Sequence, residues 1–189
     1  IAEITEGGVR TVDGTLHAFD VIVFATGFHV AEGEGSYTVR GKDGTTLGEF
    51  FAHHRSQSYQ GITLPNFPNF FSIIGPYGYN GGSFFTLIEI QLQHILRCLK
   101  EARRRGNTRV EVKADANRRY FEEMLSRRHT QIFWQDSCVK AHSYYFDAHG
   151  DVPLRRASTA AWQLISSPKS RLRQHWIASS ALARLTEPI

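Results

Sequence analysis

The sequence predicts an α/β chain with a mostly helical and irregular C-terminal region, and three observations carry that expectation. In DVIVFATGF, Asp20 to Phe28, the run Val21 to Ala25 is continuously apolar, β-branched and aromatic, as in a strand covered on both faces of a parallel sheet. PNFPNFFSIIGP, Pro65 to Pro76, brackets a second apolar run with prolines and a Gly-Pro stop. After the glycine-rich GYNGGS, residues Phe84, Ile88, Leu92, Ile95 and Leu99 recur at spacings of four, four, three and four, which is one face of a helix.

Taken in order, Ile1 to Ile4, Val9 to Val12 and Leu16 to Phe19 are short apolar runs separated by Gly7-Gly8 and Asp13-Gly14, the turn chemistry of a strand meander. From Phe28 to about Gly48 the composition shifts to Gly, Glu, Ser and Thr, which predicts an exposed loop with one small hairpin around Tyr37 to Val39 and a turn at Lys42-Asp43-Gly44. Phe70 to Ile74 is expected to be a short buried strand. The helix from Phe84 should run to about Arg105, with Ser83 as its N-cap and Arg103 to Arg105 plus Gly106 at its end, where the dipole favours cations. Val110 to Val112 suits a short strand, and Ala114 to Arg128 a second helix with Asp115 near its start. Ile132 to Tyr145 is rich in aromatics, FDAHGD at Phe146 to Asp151 is a turn, and the tail beyond Ser166 is expected to form a helix.

With 189 residues, 41% of them hydrophobic, the chain can bury a core. Its net charge of +4 falls short of a strongly basic nucleic-acid binder. Cys98 and Cys138 give neither a disulfide framework nor metal-ligand spacing, which fits a reducing compartment. No stretch approaches the roughly 20 apolar residues of a membrane span, so the expectation is a soluble, cytoplasmic protein without membrane or nucleic-acid partners. The only methionine is Met124, so the expectation is either that something was removed before Ile1 or that the sequence is a piece of a longer protein.

Two places suggest chemistry. A run ending in Ala25, Thr26 and Gly27 lets other atoms approach the backbone, and Gly27 can take dihedral angles that other residues resist; the same glycine also suits a plain turn. The order Gly75-Pro76, glycine loop, Ser83, helix exposes unpaired N–H groups and about half a positive charge. That suits a phosphate or the pyrimidine end of a flavin, and equally a tight connection that holds no ligand. No Walker-type Gly-Lys-Ser/Thr follows, which argues against a nucleoside triphosphate. Tyr77, Tyr79 and Asn80 read either as pocket lining or as turn residues. His53, His54 and His142 read as exposed polar residues. Cys138 reads as a packed residue rather than a nucleophile, and no metal site is expected.

DVIVFATGF, GITLPNFPNFFSIIGP (Gly61 to Pro76) and FFTLIEIQLQHIL (Phe84 to Leu96), in that order and separation, resemble the C-terminal part of the flavin-containing monooxygenases. WQDSCVKAHSYYFDAHGD, Trp134 to Asp151, is similar to a segment of the Baeyer–Villiger branch in which a tryptophan, a cysteine and a Tyr-rich strand precede an Asn/Asp-Gly turn. The resemblance implies the C-terminal part of a Rossmann-like FAD/NAD(P)-binding fold and an enzyme that uses FAD and NADPH. Such an enzyme oxygenates a small-molecule ketone, amine or sulfide through a peroxyflavin. Ala25, Thr26 and Gly27 would match the linker returning from the NADPH domain, and Gly75, Pro76, Ser83 and Phe84 the loop and helix start beside the isoalloxazine ring.

The implied divisions are residues 1–28, the end of the NADPH domain; 29–112, the later part of the FAD domain; and 113–189, the C-terminal region. The family's Gly-x-Gly-x-x-Gly fingerprints, the Baeyer–Villiger branch's Phe-x-Gly-x-x-x-His signature, a tryptophan near Phe50-Phe51 and a Trp-Pro pair near Leu154 to Arg156 are absent from this sequence. No catalytic residue is assigned. The chain alone is expected not to hold FAD tightly, because the first βαβ unit supplies the pyrophosphate site. The resemblance favours Baeyer–Villiger oxidation of a ketone; against it stand N- or S-oxygenation, and a non-catalytic basic binding fragment using Arg103 to Arg105, Arg118-Arg119, Arg127-Arg128 and Lys169 to Arg173.

Overall fold

A computed structural model of the chain describes residues 1–27, 37–135, 145–156 and 175–178. The first segment forms the expected meander: β1 (Glu3–Thr5), β2 (Gly8–Arg10) and β3 (Leu16–His17) pair antiparallel in that order. Glu3 faces Arg10 and Val9 faces His17, and the Asp13-Gly14 turn is fixed by the Thr15 N–H donating to Asp13 Oδ1 at 3.0 Å. The run Val21 to Ala25 departs from expectation. It is neither a strand nor buried, and Val23 is 82% exposed. A run that is apolar on both sides needs a neighbouring strand and two covering layers, and among the described residues no strand pairs with it.

Helix α1 (Leu47–His54) arises where the composition predicts loop and irregular chain. Thr46 and Glu49 form a reciprocal capping box, with the Glu49 N–H donating to Thr46 Oγ1 at 3.2 Å and the Thr46 N–H to Glu49 Oε2 at 2.7 Å. The helix buries Leu47 and Phe50 against Leu64 and Phe67, with the Phe50 and Phe67 rings edge to face at 5.6 Å. Before it, the predicted hairpin at Tyr37 to Val39 reduces to one antiparallel bridge, Arg40 to Thr46, around the Lys42-Asp43-Gly44 turn.

Phe70 to Ile74 is not a strand either. Asn69 and Ile74 take left-handed dihedrals, with φ of 60° and 55°, so the segment cannot extend. Its N–H groups go to scattered acceptors instead: Asn69 to Val110 O and Ser72 to Ile62 O, both at 2.8 Å, and Ile74 to Gln91 Oε1 at 2.7 Å.

Helix α2 (Phe84–Arg104) begins at the predicted residue, but of the apolar stripe read from the sequence only Ile95 is fully buried. Leu87, Gln91, His94, Ile95, Cys98 and Ala102 point inward, whereas Phe84, Leu92 and Leu99 are exposed. Strand β4 (Arg109–Val112) and helix α3 (Ala114–Ser126) follow as expected. Tyr59, Tyr77 and Val112 pack with Ala116, Tyr120 and Met124 of α3 in one cluster, and Cys98, Ala102 and Val110 form another between α2 and β4. Two 3-10 turns, Arg128–Thr130 and Ile132–Trp134, come next. Where the tail is expected to be helical, β5 (His175–Ala178) pairs antiparallel with β4, Val112 opposite His175; the rest of that tail lies outside the described residues. The two sheets are thus antiparallel, and the only parallel pairing among the described residues is the bridge between Tyr79 and Arg155.

Two buried carboxylates join distant segments. Asp151, in the predicted turn after Phe146, accepts from Arg55 and, at 3.3 Å, from Arg128 Nη1. Glu111 on β4 accepts from Lys42 Nζ at 2.7 Å, from Arg109, and from the Asn66 N–H at 2.8 Å. Burial raises the Glu111 pKa, but the bonds from Lys42, Arg109 and Asn66 outweigh it and hold the carboxyl below the usual glutamate range. With the folded value depressed, this contribution is present above the ordinary glutamate pKa and is lost as pH falls through the depressed one. Glu111→Gln should therefore cost about 1–3 kcal/mol at pH 7. Urea melts of the two proteins should converge as the pH drops below about 4; a gap that stays constant with pH would show that the charge of Glu111 is not the source.

Candidate functional site

The glycine loop is built by a close crossing of two backbones. An ideal Cβ at Gly61 would collide with Gly78 Cα, and one at Gly78 would lie 2.8 Å from Gly61 Cα. Only glycines allow this approach. Gln91, fully buried on α2, secures the crossing: its Oε1 accepts from the Ile74 N–H at 2.7 Å, and its Nε2 reaches Gln60 O and Gly78 O at 3.5 and 3.4 Å. Between these contacts, Ile74 and Tyr77 hold φ of 55° and 57°. A β-branched residue in that region is rare, and two such dihedrals flanking Gly75-Pro76 mark a loop whose shape is imposed by its surroundings.

Gly75 and Pro76 sit at the back of this loop. The Gly75 N–H donates to Gly61 O at 2.9 Å, a Cβ there would collide with Ser72 Oγ, and Pro76 O accepts from Ser58 Oγ at 2.7 Å. Tyr77 turns into the core, where its carbonyl accepts from Tyr120 Oη at 2.8 Å and burial pushes its phenol pKa well up. It is therefore a packing residue, not a pocket lining. Tyr79 stacks on Phe84 at 4.5 Å with the ring planes 13° apart. Gly82 donates to Asn80 Oδ1 at 3.1 Å, so Asn80 is a turn residue.

Ser83 and Phe84 face outward. Ser83 occupies the N-cap of α2, as the sequence predicts, yet its side chain makes no capping bond, and the first turn carries no acidic residue. A 21-residue helix thus ends in N–H groups that no side chain caps, with the positive pole of its dipole uncompensated. Beside it the Tyr79–Phe84 stack offers a flat aromatic surface. Such an end fits an anionic or polarised planar group, which is what a flavin's pyrimidine edge presents.

Ala25, Thr26 and Gly27 are exposed; Gly27 has φ of 74°, and a Cβ there would meet nothing within 4 Å. The dihedral angle, not crowding, is what calls for glycine at this position. The hydrogen bonds that tie residues 1–27 among the described residues run within the meander itself, such as Ala2 N–H to Arg10 O at 2.7 Å.

The other candidates sort readily. His53 and His54 are exposed in the last turn of α1, where the dipole favours cations. His142 and Cys138 lie outside the described residues. The basic runs on α2 and α3 are largely neutralised along their own helices: Arg104 and Arg105 pair with Glu101, Arg119 with Asp115, and Arg127 with Glu123, while Lys169 to Arg173 lies outside the described residues. A continuous phosphate-binding surface is not what these pairs present. Burial pushes the Cys98 thiol up to about 12, so it is no nucleophile at neutral pH. What sequence reasoning missed is that His94 and Cys98, four residues apart on α2, meet His175 of β5 in a buried cluster. The four-residue spacing was the available signal; the third member, far along the chain, gave none.

No family model matches the chain. It is 31% identical over 152 residues to a Baeyer–Villiger monooxygenase of Streptomyces coelicolor, a match covering 79% of this chain and 28% of that protein. It is 33% identical over 135 residues to a Baeyer–Villiger monooxygenase of Pseudomonas aeruginosa, covering 71% and 25%. Among solved structures, the OTEMO complex with FAD and NADP matches with a TM-score of 0.69 and 26% identity over 93% of this chain and 32% of that one. Cyclohexanone monooxygenase from Rhodococcus sp. Phi1 bound to NADP+ matches with a TM-score of 0.67 and 25% identity over 94% and 34%. The chain thus spans about a third or less of the length of these proteins. The resemblance read from the Ala-Thr-Gly and Gly-Pro segments is shown: the chain is similar to the flavin monooxygenases. Its named relatives place that similarity with the Baeyer–Villiger monooxygenases.

Gln91 is the residue on which the loop's geometry should most visibly depend. Gln91→Leu keeps the bulk but leaves the Ile74 N–H without its acceptor, and should lower the unfolding free energy by about 1–3 kcal/mol. Denaturant titration measures this; a change under ~0.5 kcal/mol would mean that the loop holds its shape without the amide.

Proposed function

We propose that this chain is the C-terminal portion of an FAD- and NADPH-dependent monooxygenase that inserts one oxygen atom of O2 into a ketone. The observation that carries the reading is the OTEMO match, which covers nearly the whole chain on a structure holding both FAD and NADP. The uncapped start of α2 supports it independently, because the residues present fit the flavin. In this reading residues 1–28 close the NADPH domain, 29–112 complete the FAD domain and 113–189 form the C-terminal region. Bound FAD, reduced by NADPH, supplies the activation of O2. The residues of this chain would bind and orient it: the N–H groups after Ser83 would offer donors to the flavin, Phe84 an aromatic surface, Gly75 and Pro76 would fix the loop, and Ala25, Thr26 and Gly27 would let the backbone pass close to a dinucleotide.

The 189 residues contain no Gly-x-Gly-x-x-Gly sequence to seat a pyrophosphate. The purified chain mixed with FAD and freed of excess ligand should therefore retain no flavin. A chimera in which these residues replace the matching part of the Streptomyces coelicolor relative should bind FAD and convert a cyclic ketone to a lactone at the expense of NADPH and O2. A flavin-loaded chimera that oxygenates only amines or sulfides would favour the N- or S-oxygenating alternative. Tight one-to-one FAD binding by the chain alone would overturn the account of the missing half.

Ser83→Asp separates the role of the helix start from mere packing. A carboxylate at the cap should stabilise the isolated chain by about 0.5–1 kcal/mol and weaken FAD retention by the chimera. Unchanged retention would remove this helix end from the flavin site.

A further inference from the structure

His94, Cys98 and His175 meet in the interior, His94 one turn of α2 beyond Gln91. They are 1%, 0% and 6% exposed, and one potential ligand atom from each lies within 4.8 Å of the others. His94 and Cys98 are neighbours because four residues along α2 return to the same face. His175 is brought in from the far end of the described chain by the pairing of β5 with β4, and its ring centre lies 5.2 Å from that of His94.

We propose that these three side chains, one thiolate and two imidazoles, form a site for a zinc ion, which clips strand β5 to helix α2. The distance between the two ligands on α2 matches coordination, and the third ligand lies within 4.8 Å of both. With Zn–S near 2.3 Å and Zn–N near 2.0–2.1 Å, a tetrahedral angle sets the sulfur and nitrogen ligands about 3.5 Å apart. Cys98 Sγ and His94 Nε2 are 3.6 Å apart. The third ligand carries its own outer partner: Thr63 Oγ1 lies 3.1 Å from His175 Nε2 and orients the imidazole, as groups behind metal-bound histidines do.

The donor set also chooses the metal. Two imidazoles and a thiolate suit zinc or copper, but a copper electron-transfer site of this type adds a weak axial methionine. The sole methionine, Met124, packs in the cluster with Tyr59 and Tyr120, of which Tyr59 is the member that stands edge-on to the His175 ring. Three protein ligands leave one tetrahedral position for water. Because the site is buried between a helix and a strand that are far apart in sequence, the ion's role is to hold the C-terminal region onto α2.

Cobalt(II) reports on such a site, because a thiolate ligand gives a sulfur-to-metal charge-transfer band in the near ultraviolet and tetrahedral coordination gives intense visible bands. The chain has only two cysteines, so a Cys138→Ala chain leaves Cys98 as the sole thiol. That chain, stripped of metal and titrated with CoCl2, should bind one equivalent and show both sets of bands, and one equivalent of ZnCl2 should displace them. Thr63→Val, which removes only the outer partner of His175, should lower the cobalt affinity about 10–100-fold, and Cys98→Ala should abolish the charge-transfer band. Absence of the band from the Cys138→Ala chain would overturn the proposal, and so would a band that survives Cys98→Ala in the otherwise unaltered chain. Neither result depends on flavin binding, so this site and the proposed oxygenase function fail or stand separately.

Discussion

The amide of Gln91 is the contact on which the loop geometry rests. It sits in the middle of the longest helix and satisfies the backbone of three segments at once, at Gln60, Ile74 and Gly78. A fully buried amide left without such partners would be a net cost. With them, it sets the height at which the Gly61 and Gly78 backbones cross, and hence the left-handed dihedrals of Ile74 and Tyr77. The course of the chain into Ser83 follows from that crossing, so the open start of α2 is a consequence of a polar contact two turns further along the helix.

The same helix divides its surface by an unusual rule. Its inward face carries a glutamine, a histidine and a cysteine among its aliphatic residues, while Phe84, Phe85, Leu92, Leu96 and Leu99 are exposed. Burial of Gln91 and His94 is tolerable because specific partners await them, whereas the apolar stripe finds no cover among the described residues. If the chain is the C-terminal portion of a monooxygenase, that stripe and the exposed run Val21 to Phe24 become interior surfaces of the larger protein, which also explains why a strand-like sequence forms no strand here.

This division governs what was legible in the sequence. Periodicity located α2 to within a residue at each end, because spacing records that a helix has an apolar side. Of the stripe it marked only Ile95 is fully buried, because spacing does not say what lies opposite, and the partners of Gln91 come from loops 13 and more residues away. The helix α3 and strand β4 were legible because their packing agrees with their local pattern. Helix α1 carries a Thr-x-x-Glu capping signature at Thr46 and Glu49 that the surrounding glycine and threonine hide. Asn69 and Ile74 defeat the strand pattern of Phe70 to Ile74 through dihedrals that no composition rule anticipates. Contacts such as Arg55 to Asp151, 96 residues apart, leave no local trace at all.

Of the site, the sequence held the parts but not their orientation. Gly75, Pro76, Ser83 and Phe84 were singled out together, and the fold divides them into two that brace the loop and two that face outward. The division is physical: the backbones of Gly75 and Pro76 are engaged by Gly61 and Ser58 and Gly75 packs on Ser72, so these two half-buried residues brace the loop. Ser83 and Phe84 are exposed, Phe84 stacked on Tyr79, and the helix behind them supplies an oriented dipole that solvent screens only while the site stays open. A planar, electron-rich ligand seated there would gain from the dipole and, by displacing water, strengthen it. The helix start is thus an element whose electrostatic strength depends on occupancy.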